Sequence, residues 1–436
     1  MKKVLAVILM LAMVFSLCIA LASCNNTEEN KPQDTKAPDQ SAEPADSESK
    51  DEGQDEELKF GFIYLHDQNS TYDRNFMEGA KAACEKLGVT YLEKVPIPEG
   101  NEVLEAAEDL VGQGCCLIFA DSFGHEEFLI QAAEKYPDVE FCHATGTNAH
   151  TEELDNFHNA FASIYEGRYL AGIAAGMKLN EMIEAGEFAA EDAKIGYVGA
   201  YTYAEVISGY TSFFLGARSV CKTATMEVQF TGSWYDETAE KNAAETLIQR
   251  GCKLISQHAD SMGAPTACED AGVPDISYNG STKDACPNTF IVSSRINWEP
   301  YFEYIINCVK EGKAIDTDWT GTIDTGSVVL TDVNTQAAAE GTVEAIEEAK
   351  AKLLSGELEV FDTSTFTVTV EEGKNVNATV DADGHLTGYM ADVDSDAAFQ
   401  GDTEVVKDGA FLESEYRSAP YFDIQIDGIE LLNAMF

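Results

Sequence analysis

Short apolar runs alternate with stretches of helical periodicity from residue 59 onward. Phe60-Gly-Phe-Ile-Tyr-Leu65 predicts a strand, and His66 to Asp73 is a polar loop. Over Asn75–Leu87, Phe76, Ala80, Ala83 and Leu87 share one helical face, with Gly88 as the stop. Val89–Val95 predicts a second strand. Asn101–Gln113 predicts a helix capped by Asn101, with Val103, Leu104, Ala107 and Leu110 on its apolar face. Cys116–Ala120 and Val139–Ala144 predict two more strands, with a helix over Glu126–Lys135 between them. Regular alternation of strand and helix predicts a right-handed βαβ series, hence a parallel sheet between helices. Tyr165–Leu179 follows, with Gly167, Ala171, Gly172, Ala175 and Gly176 small enough for a helix to lie close against its sheet.

The stretch from Lys194 to Asp260 organises the rest. Lys194–Ala200, Met226–Thr231 and Leu254–His258 are apolar runs separated by helical segments. Pro274–Tyr278 and Thr289–Ser293 continue the strands, and Asn297–Val309 predicts a helix bearing Trp298, Tyr301, Phe302 and Tyr304. In an open parallel sheet, ligands bind beyond the carboxyl ends of the strands. That edge carries Tyr201, Glu205, Trp234, Asp236 and Asp260. Aromatic faces with carboxylates suit a flat ligand that donates hydrogen bonds. Two similar series predict two lobes facing each other across a cleft.

The pattern changes after about Asn334. Ala337–Leu354 predicts an Ala/Glu/Lys-rich helix, and Phe366–Val370 alternates like a strand. Lys374–Tyr389 predicts a hairpin turning at Asp383-Gly384, and Phe422–Ile429 alternates again. The tail is expected to be a structural appendage packed on the lobes.

The chain has 436 residues, enough for two domains and appendages. Its net charge of −49 argues against nucleic acid, whose phosphates it would repel. Met1-Lys2-Lys3 and the apolar run to Ala22 read as a secretory signal. Leu21-Ala22-Ser23-Cys24 is similar to a bacterial lipobox, which implies cleavage before Cys24 and a diacylglycerol on its thiol. Two acyl chains give durable anchoring. Residues 25–58 hold few large apolar side chains and cannot offset their ordering entropy, so they are expected to form an extended acidic tether. With Cys18 removed and Cys24 set aside, nine cysteines remain without CxxC or Cys/His ligand spacing, so buried free thiols are expected rather than a zinc site.

Several ordered motifs carry a family resemblance. They include Gly61-Phe-Ile-Tyr64, Leu117-Ile-Phe-Ala-Asp-Ser-Phe-Gly124, His143-Ala-Thr-Gly146, Tyr165-Glu-Gly-Arg-Tyr-Leu-Ala-Gly172, Ile195-Gly-Tyr-Val-Gly199 and Leu215-Gly-Ala-Arg-Ser219. The most specific are Gly232-Ser-Trp-Tyr-Asp236, Gln257-His-Ala-Asp-Ser261 and Asn297-Trp-Glu-Pro-Tyr301. Over roughly residues 60–360 the chain resembles the basic membrane protein family of substrate-binding lipoproteins, the purine-nucleoside receptors of ABC transporters.

The resemblance implies an α/β type I periplasmic-binding-protein fold, two doubly wound parallel-sheet lobes around a cleft. It implies that a purine nucleoside or base is captured there and handed to an ABC transporter permease on the extracytoplasmic face. The first lobe is expected over 59–162 with about 292–322, the second over 163–291 with about 323–336, and 337–436 as a small α+β appendage. Residue by residue, the resemblance points to Trp234, Asp260, Asn297 and Trp298, with Phe123, Ser70, Tyr72 and Asp73 on the first lobe. Tyr201 and Glu205 fall where the family has a Pro-Ile-Pro-Glu-like turn, here Tyr-Thr-Tyr-Ala-Glu. Tyr278-Asn-Gly-Ser281 departs from members with Asp near its second position; if that Asp holds ribose, the departure favours a free base such as adenine. A monomer without cofactor, metal or enzymatic activity is expected.

Other roles compete at each residue. Trp234 could be core and Asp260 a solvated loop carboxylate. Asp73 could cap the first helix, Glu205 could be a first-turn carboxylate favoured by the dipole, and Phe123 could be core or cleft. His66 and His258 read as structural. A membrane-anchored nucleoside hydrolase and a ligand-sensing receptor are the alternative functions.

Overall fold

The computed structural model describes residues 58–393 and 403–435. The expected signal peptide, Cys24 and nearly all of the tether lie outside the described residues.

The first lobe opens with β1 (Lys59–Ile63), α1 (Thr71–Leu87), β2 (Thr90–Lys94), α2 (Asn101–Gly112) and β3 (Cys115–Ala120). It continues through α3 (Glu126–Lys135), β4 (Glu140–Ala144), the single turn α4 (Ala149–Glu152) and β5 (Phe157–Ala162). The chain then crosses to a second lobe made of α5 (Ile164–Glu184), β6 (Lys194–Gly199), α6 (Ala204–Val220), β7 (Thr225–Phe230), α7 (Glu237–Gln249), β8 (Leu254–His258), α8 (Gly263–Ala271), β9 (Asp275–Tyr278) and β10 (Phe290–Ile296). It returns through α9 (Glu299–Glu311) and β11 (Asp318–Gly321) and crosses back at β12 (Val328–Leu330). The first sheet is wholly parallel, in the order β11-β5-β4-β3-β1-β2. The tail adds α10 (Thr342–Ser355), then a hairpin of β13 (Ala378–Val380) and β14 (Leu386–Ala391). Its short strands β15 (Thr403–Glu404), β16 (Val406–Lys407) and β17 (Ala410–Phe411) precede β18 (Ile429–Leu431). The second sheet runs β12-β10-β9-β8-β6-β7-β18, with β12 antiparallel to β10.

Helices cover both faces of each sheet. In the first lobe, Val103, Leu110 and Leu129 of α2 and α3 bury one face with Ile63 and Ile118. On the other face Phe76 of α1 stacks on Trp298 at 4.3 Å, and Phe302 of α9 meets Phe119 edge-on at 4.9 Å. In the second lobe α7 and α8 cover one face through Ala243, Leu247 and Ala264, and α5 and α6 the other. These are two doubly wound α/β lobes, a type I periplasmic-binding-protein fold.

The three crossings are bound to one another. Ser163 donates its backbone N–H to the carbonyl of Gly321 at 2.8 Å, and Asn297 donates its own to Ser327 at 2.7 Å. Ile323 N–H donates to the Glu166 carboxylate at 3.1 Å, and burial lifts that carboxyl to about 7.

Several sequence expectations need correction. α1 starts at Thr71, four residues before Asn75, because Ser70 caps it by accepting from Asp73 N–H at 3.2 Å. Gly100, not Asn101, is the cap position of α2, and the Asn101 amide donates instead to Glu105 at 3.1 Å. β5 was not anticipated, because His158 and Asn159 interrupt its apolar run. Both are buried, and Asn159 is satisfied by Ala149 N–H at 2.8 Å and Glu126 at 3.1 Å. Residues 292–296 belong to the second sheet through β10, so the return crossing falls at Asn297. Residues 366–370 form no strand, but Phe422, Ile424 and Ile426 do alternate inward beside them, and Asp427 N–H donates to Thr367 at 2.9 Å. One strand of the tail joins a lobe: β18 extends the second sheet in parallel beside β7. The nine cysteines from Cys84 to Cys308 are free thiols, eight of them buried.

Gly172 and Gly176 serve a helix rather than the sheet. A Cβ on Gly172 would stand 2.0 Å from the Phe213 carbonyl, and one on Gly216 2.0 Å from that of Tyr169. α5 and α6 therefore touch backbone to backbone. Gly216→Ala should force them apart and cost about 1–3 kcal/mol, as overpacked cores do. Urea unfolding of the variant should show a lowered midpoint with an unchanged slope. An unchanged midpoint would mean the helices can separate freely.

Candidate functional site

The carboxyl ends of both sheets face one cleft. From the second lobe, β6 leads into Tyr201-Thr-Tyr203 and β7 into the turn at Gly232, whose φ of +77° suits glycine. Thr231 Oγ1 donates to the Ser233 carbonyl at 3.0 Å, which stiffens the turn that presents Trp234. The Tyr201 ring meets Trp234 edge-on at 5.1 Å and stacks on Tyr203 at 5.1 Å. β8 ends in His258 and Asp260. The His258 ring lies over Gly209 of α6, where a Cβ would come within 2.4 Å of Nδ1. Its Nε2 faces Glu205 Oε1 at 3.4 Å.

From the first lobe, Asp73 gathers the loop after β1. Its carboxylate accepts from His66 N–H at 2.7 Å and from Ser70 Oγ at 2.5 Å. The Tyr72 hydroxyl donates to the Asp121 carbonyl at 2.8 Å. Phe123 projects from a loop pinned by Glu99, which accepts from Ser122 Oγ at 2.6 Å and from Gly124 N–H at 2.9 Å.

The lobes touch across the cleft. Thr71 N–H donates to the Asp260 carbonyl at 3.2 Å, and the Asn75 amide donates to the Asn279 carbonyl at 2.9 Å. Phe123 meets Tyr203 at 5.2 Å and His66 meets Tyr235 at 5.6 Å. The molecule is closed around a small cavity. Tyr72, Asp73 and Phe123 line it from one lobe, and Glu205, Trp234, His258, Asp260 and Tyr278 from the other.

Among the described residues, no lysine or arginine lines this cavity. Burial, then crowding by Asp73, Glu240 and Glu205, holds the Asp260 carboxyl well above the usual carboxylate range. Burial lifts Glu240 to about 7, where it accepts from Ser261 N–H at 3.2 Å. Burial also lowers His258, against the pull of Glu205. The lining is thus acidic and aromatic. It can accept hydrogen bonds and stack a flat ring.

Residues 64–364 match the family model described as ABC transporter substrate-binding protein PnrA-like. The chain belongs to this family. A purine-binding protein of Brucella abortus is 31% identical over 313 residues, covering 70% of this chain and 84% of that one. A protein carrying the name of an ABC transporter glucose-binding protein in Haloferax volcanii is 31% identical over 311 residues, 70% of this chain and 72% of that one. Among solved structures, an ABC transporter solute-binding protein of Aeropyrum pernix superposes with a TM-score of 0.59 at 20% identity, covering 70% of this chain and 93% of that one. A transcriptional activator of the comK gene from Bacillus halodurans reaches 0.56 at 18% identity, covering 68% and 98%. Those two share the fold.

Six of the ten residues singled out in this PnrA-like sequence line the cavity together: Tyr72, Asp73, Phe123, Glu205, Trp234 and Asp260. Tyr201 stands behind them, against Trp234. Ser70 is the buried cap of α1 and reaches the cavity only through Asp73. Asn297 is a hinge residue: its amide donates to the Gly326 carbonyl at 3.2 Å, where two crossings meet. Trp298 is core of the first lobe, 1% exposed, because α9 leaves the second lobe and packs beside α1. Asp236, at the same sheet edge, caps α7 by accepting from Ala239 N–H at 2.9 Å. Sequence reasoning read His66 and His258 as structural and did not find Ser122, Thr145 or Tyr278, which also line the cavity. The places of His258 and Tyr278 at strand ends were the signal available.

The raised Asp260 carboxyl gives closure of the empty protein a pH dependence. Hydrated in an open cleft, it returns towards about 3.9. The closed state then binds its proton to higher pH, so closure is fully favoured below about pH 4 and weakens as pH rises through the raised value. Small-angle scattering of ligand-free protein should give a smaller radius of gyration at about pH 5 than at about pH 8, with the difference reduced in Asp260→Asn. A radius independent of pH in the wild type would contradict this.

Proposed function

We propose that the protein is an extracytoplasmic, lipid-anchored receptor that captures a purine base or nucleoside between its lobes and delivers it to an ABC importer. One observation carries the purine reading: the Trp234 ring, backed by Tyr201, lines the cavity together with the Asp260 carboxyl, and no lysine or arginine lines it among the described residues. A purine brings a flat π-face for the rings and amino or ring N–H donors for the carboxylates. Those donors also compensate the crowded acid that the empty cleft leaves strained. The name of the Brucella relative agrees with this reading. The name of the Haloferax relative favours a sugar, whose hydroxyls could also meet the carboxylates. The protein acts by binding, with Asp260 as acceptor and Trp234 as platform, and transforms nothing.

Calorimetric titration of adenine, adenosine, guanosine, inosine and glucose decides between them. Hydrogen bonds to a charged group contribute about 1.5–3 kcal/mol net. Asp260→Asn should therefore weaken the preferred purine roughly ten- to a hundredfold with folding intact. Trp234→Ala should weaken it through lost stacking, worth on the order of 1–3 kcal/mol per base. Wild-type affinity in Asp260→Asn would displace the site, and binding of glucose alone would replace the ligand class. Adenosine incubated with the protein should yield no adenine; its release would favour a nucleoside hydrolase.

The anchor is tested separately. Cys24→Ser should move the protein from the membrane fraction to the soluble one. Retention in the membrane would argue for an uncleaved helix.

A further inference from the structure

Phe123, Thr145 and Glu205 bound the inner cavity on one side. The same three residues also line a second, wider chamber that communicates with solvent. Three parts of the chain wall it. Phe123, Thr145 and Thr147 come from the first lobe, and Thr202 to Glu205 from the second. The third wall is the tail, from Asp392 and from Arg417 to Asp423, beyond the stretch 64–364 that matches the family. The tail is fastened to both lobes. Ser418 N–H donates to the Asp318 carboxylate of β11 at 2.7 Å, and the Tyr165 hydroxyl at the start of α5 donates to the Glu413 carbonyl at 3.3 Å.

Arg417 is the cation of this chamber, 7% exposed. A guanidinium has five N–H donors. Two protein acceptors meet it, the carbonyls of Ala419 at 3.2 Å and Pro420 at 3.1 Å. Glu413, Asp318, Asp392 and Glu126 act on it electrostatically. Asp423 shares the wall; it is exposed and accepts from the Tyr389 hydroxyl. Thr145, Thr147 and Thr202 add hydroxyls that can donate or accept. Three carboxylates, Glu205, Asp392 and Asp423, stand against one guanidinium, so an anionic ligand is disfavoured. A neutral group with several hydroxyls satisfies donors and acceptors together.

We propose that this chamber is a sugar subsite built by the C-terminal segment. With a purine ring in the inner cavity, the glycosyl group of a nucleoside passes Phe123 and Thr145 and reaches Arg417 and Asp423. The proposal rests on the purine reading of the inner cavity. It moves the choice between base and nucleoside from Asn279, where the sequence departs from the family, to side chains outside the family match.

The test is titration of adenine and adenosine into the full chain and into Arg417→Met and Asp423→Asn. Wild type should bind adenosine more tightly than adenine. Each variant should lose roughly ten- to a hundredfold in adenosine affinity while adenine affinity stays unchanged. Asp423→Asn keeps its size and stays at the surface, so it carries the test if Arg417→Met fails to fold. Equal weakening of both ligands assigns the tail a structural role and overturns the proposal. So does unchanged adenosine binding in the variants, or equal wild-type affinity for base and nucleoside, with the purine reading left standing. A wild type that binds neither ligand overturns the purine reading and the subsite with it.

Discussion

Four acidic side chains, Asp73, Glu205, Glu240 and Asp260, crowd a closed cleft whose inner lining has no lysine or arginine. Like charges in a poorly hydrated site repel more strongly than in water, and each loses solvation as well. The protein carries part of this through bonds to neutral groups: Asp73 takes His66 N–H and Ser70 Oγ, and Glu240 takes Ser261 and Asp236 N–H. Asp260 takes the Asn279 side chain, and burial among like charges leaves its carboxyl raised. A donor-rich ligand and a closed cleft therefore favour each other, which is the linkage an importer's receptor needs between loading and shape.

That linkage works only if the walls are stiff. Arg168 of α5 is wholly buried and holds the strand ends together. Its guanidinium donates to Ser256 Oγ at 2.7 Å in β8, to the Tyr197 hydroxyl at 3.0 Å in β6 and to the Ser277 carbonyl at 3.3 Å in β9. His258, two residues beyond Ser256, and Tyr278, next to Ser277, line the cavity. Flexibility is left to the three crossings, where Ser163, Asn297 and Glu166 bind the strands to one another by a few hydrogen bonds.

The two-lobed α/β fold was legible because period and length separate strands from helices in both series. The cavity was legible where residues end strands, as Trp234 and Asp260 do. Three kinds of information were not local. Asn159 looks like a loop residue until Glu126 and Ala149 satisfy it inside β5. Trp298 looks like a binding residue until the crossing at Asn297 carries α9 to the other lobe. Gly172 and Gly176 announced close packing but not its partner, since only the fold brings Phe213 opposite. The tail was least legible, because its short strands find their partners far away in sequence.

The bond between Phe230 N–H and the Asn433 side chain joins residues 203 positions apart, beside the pairing of β18 with β7. Until residues near 431 are available, β7 is the bare margin of the second sheet, with unpaired N–H and C=O groups. Bare margins recruit strands from other chains, and contacts so distant in sequence form late. The second lobe's sheet thus keeps an open margin until late in synthesis, and β18 closes it with the chain's own backbone.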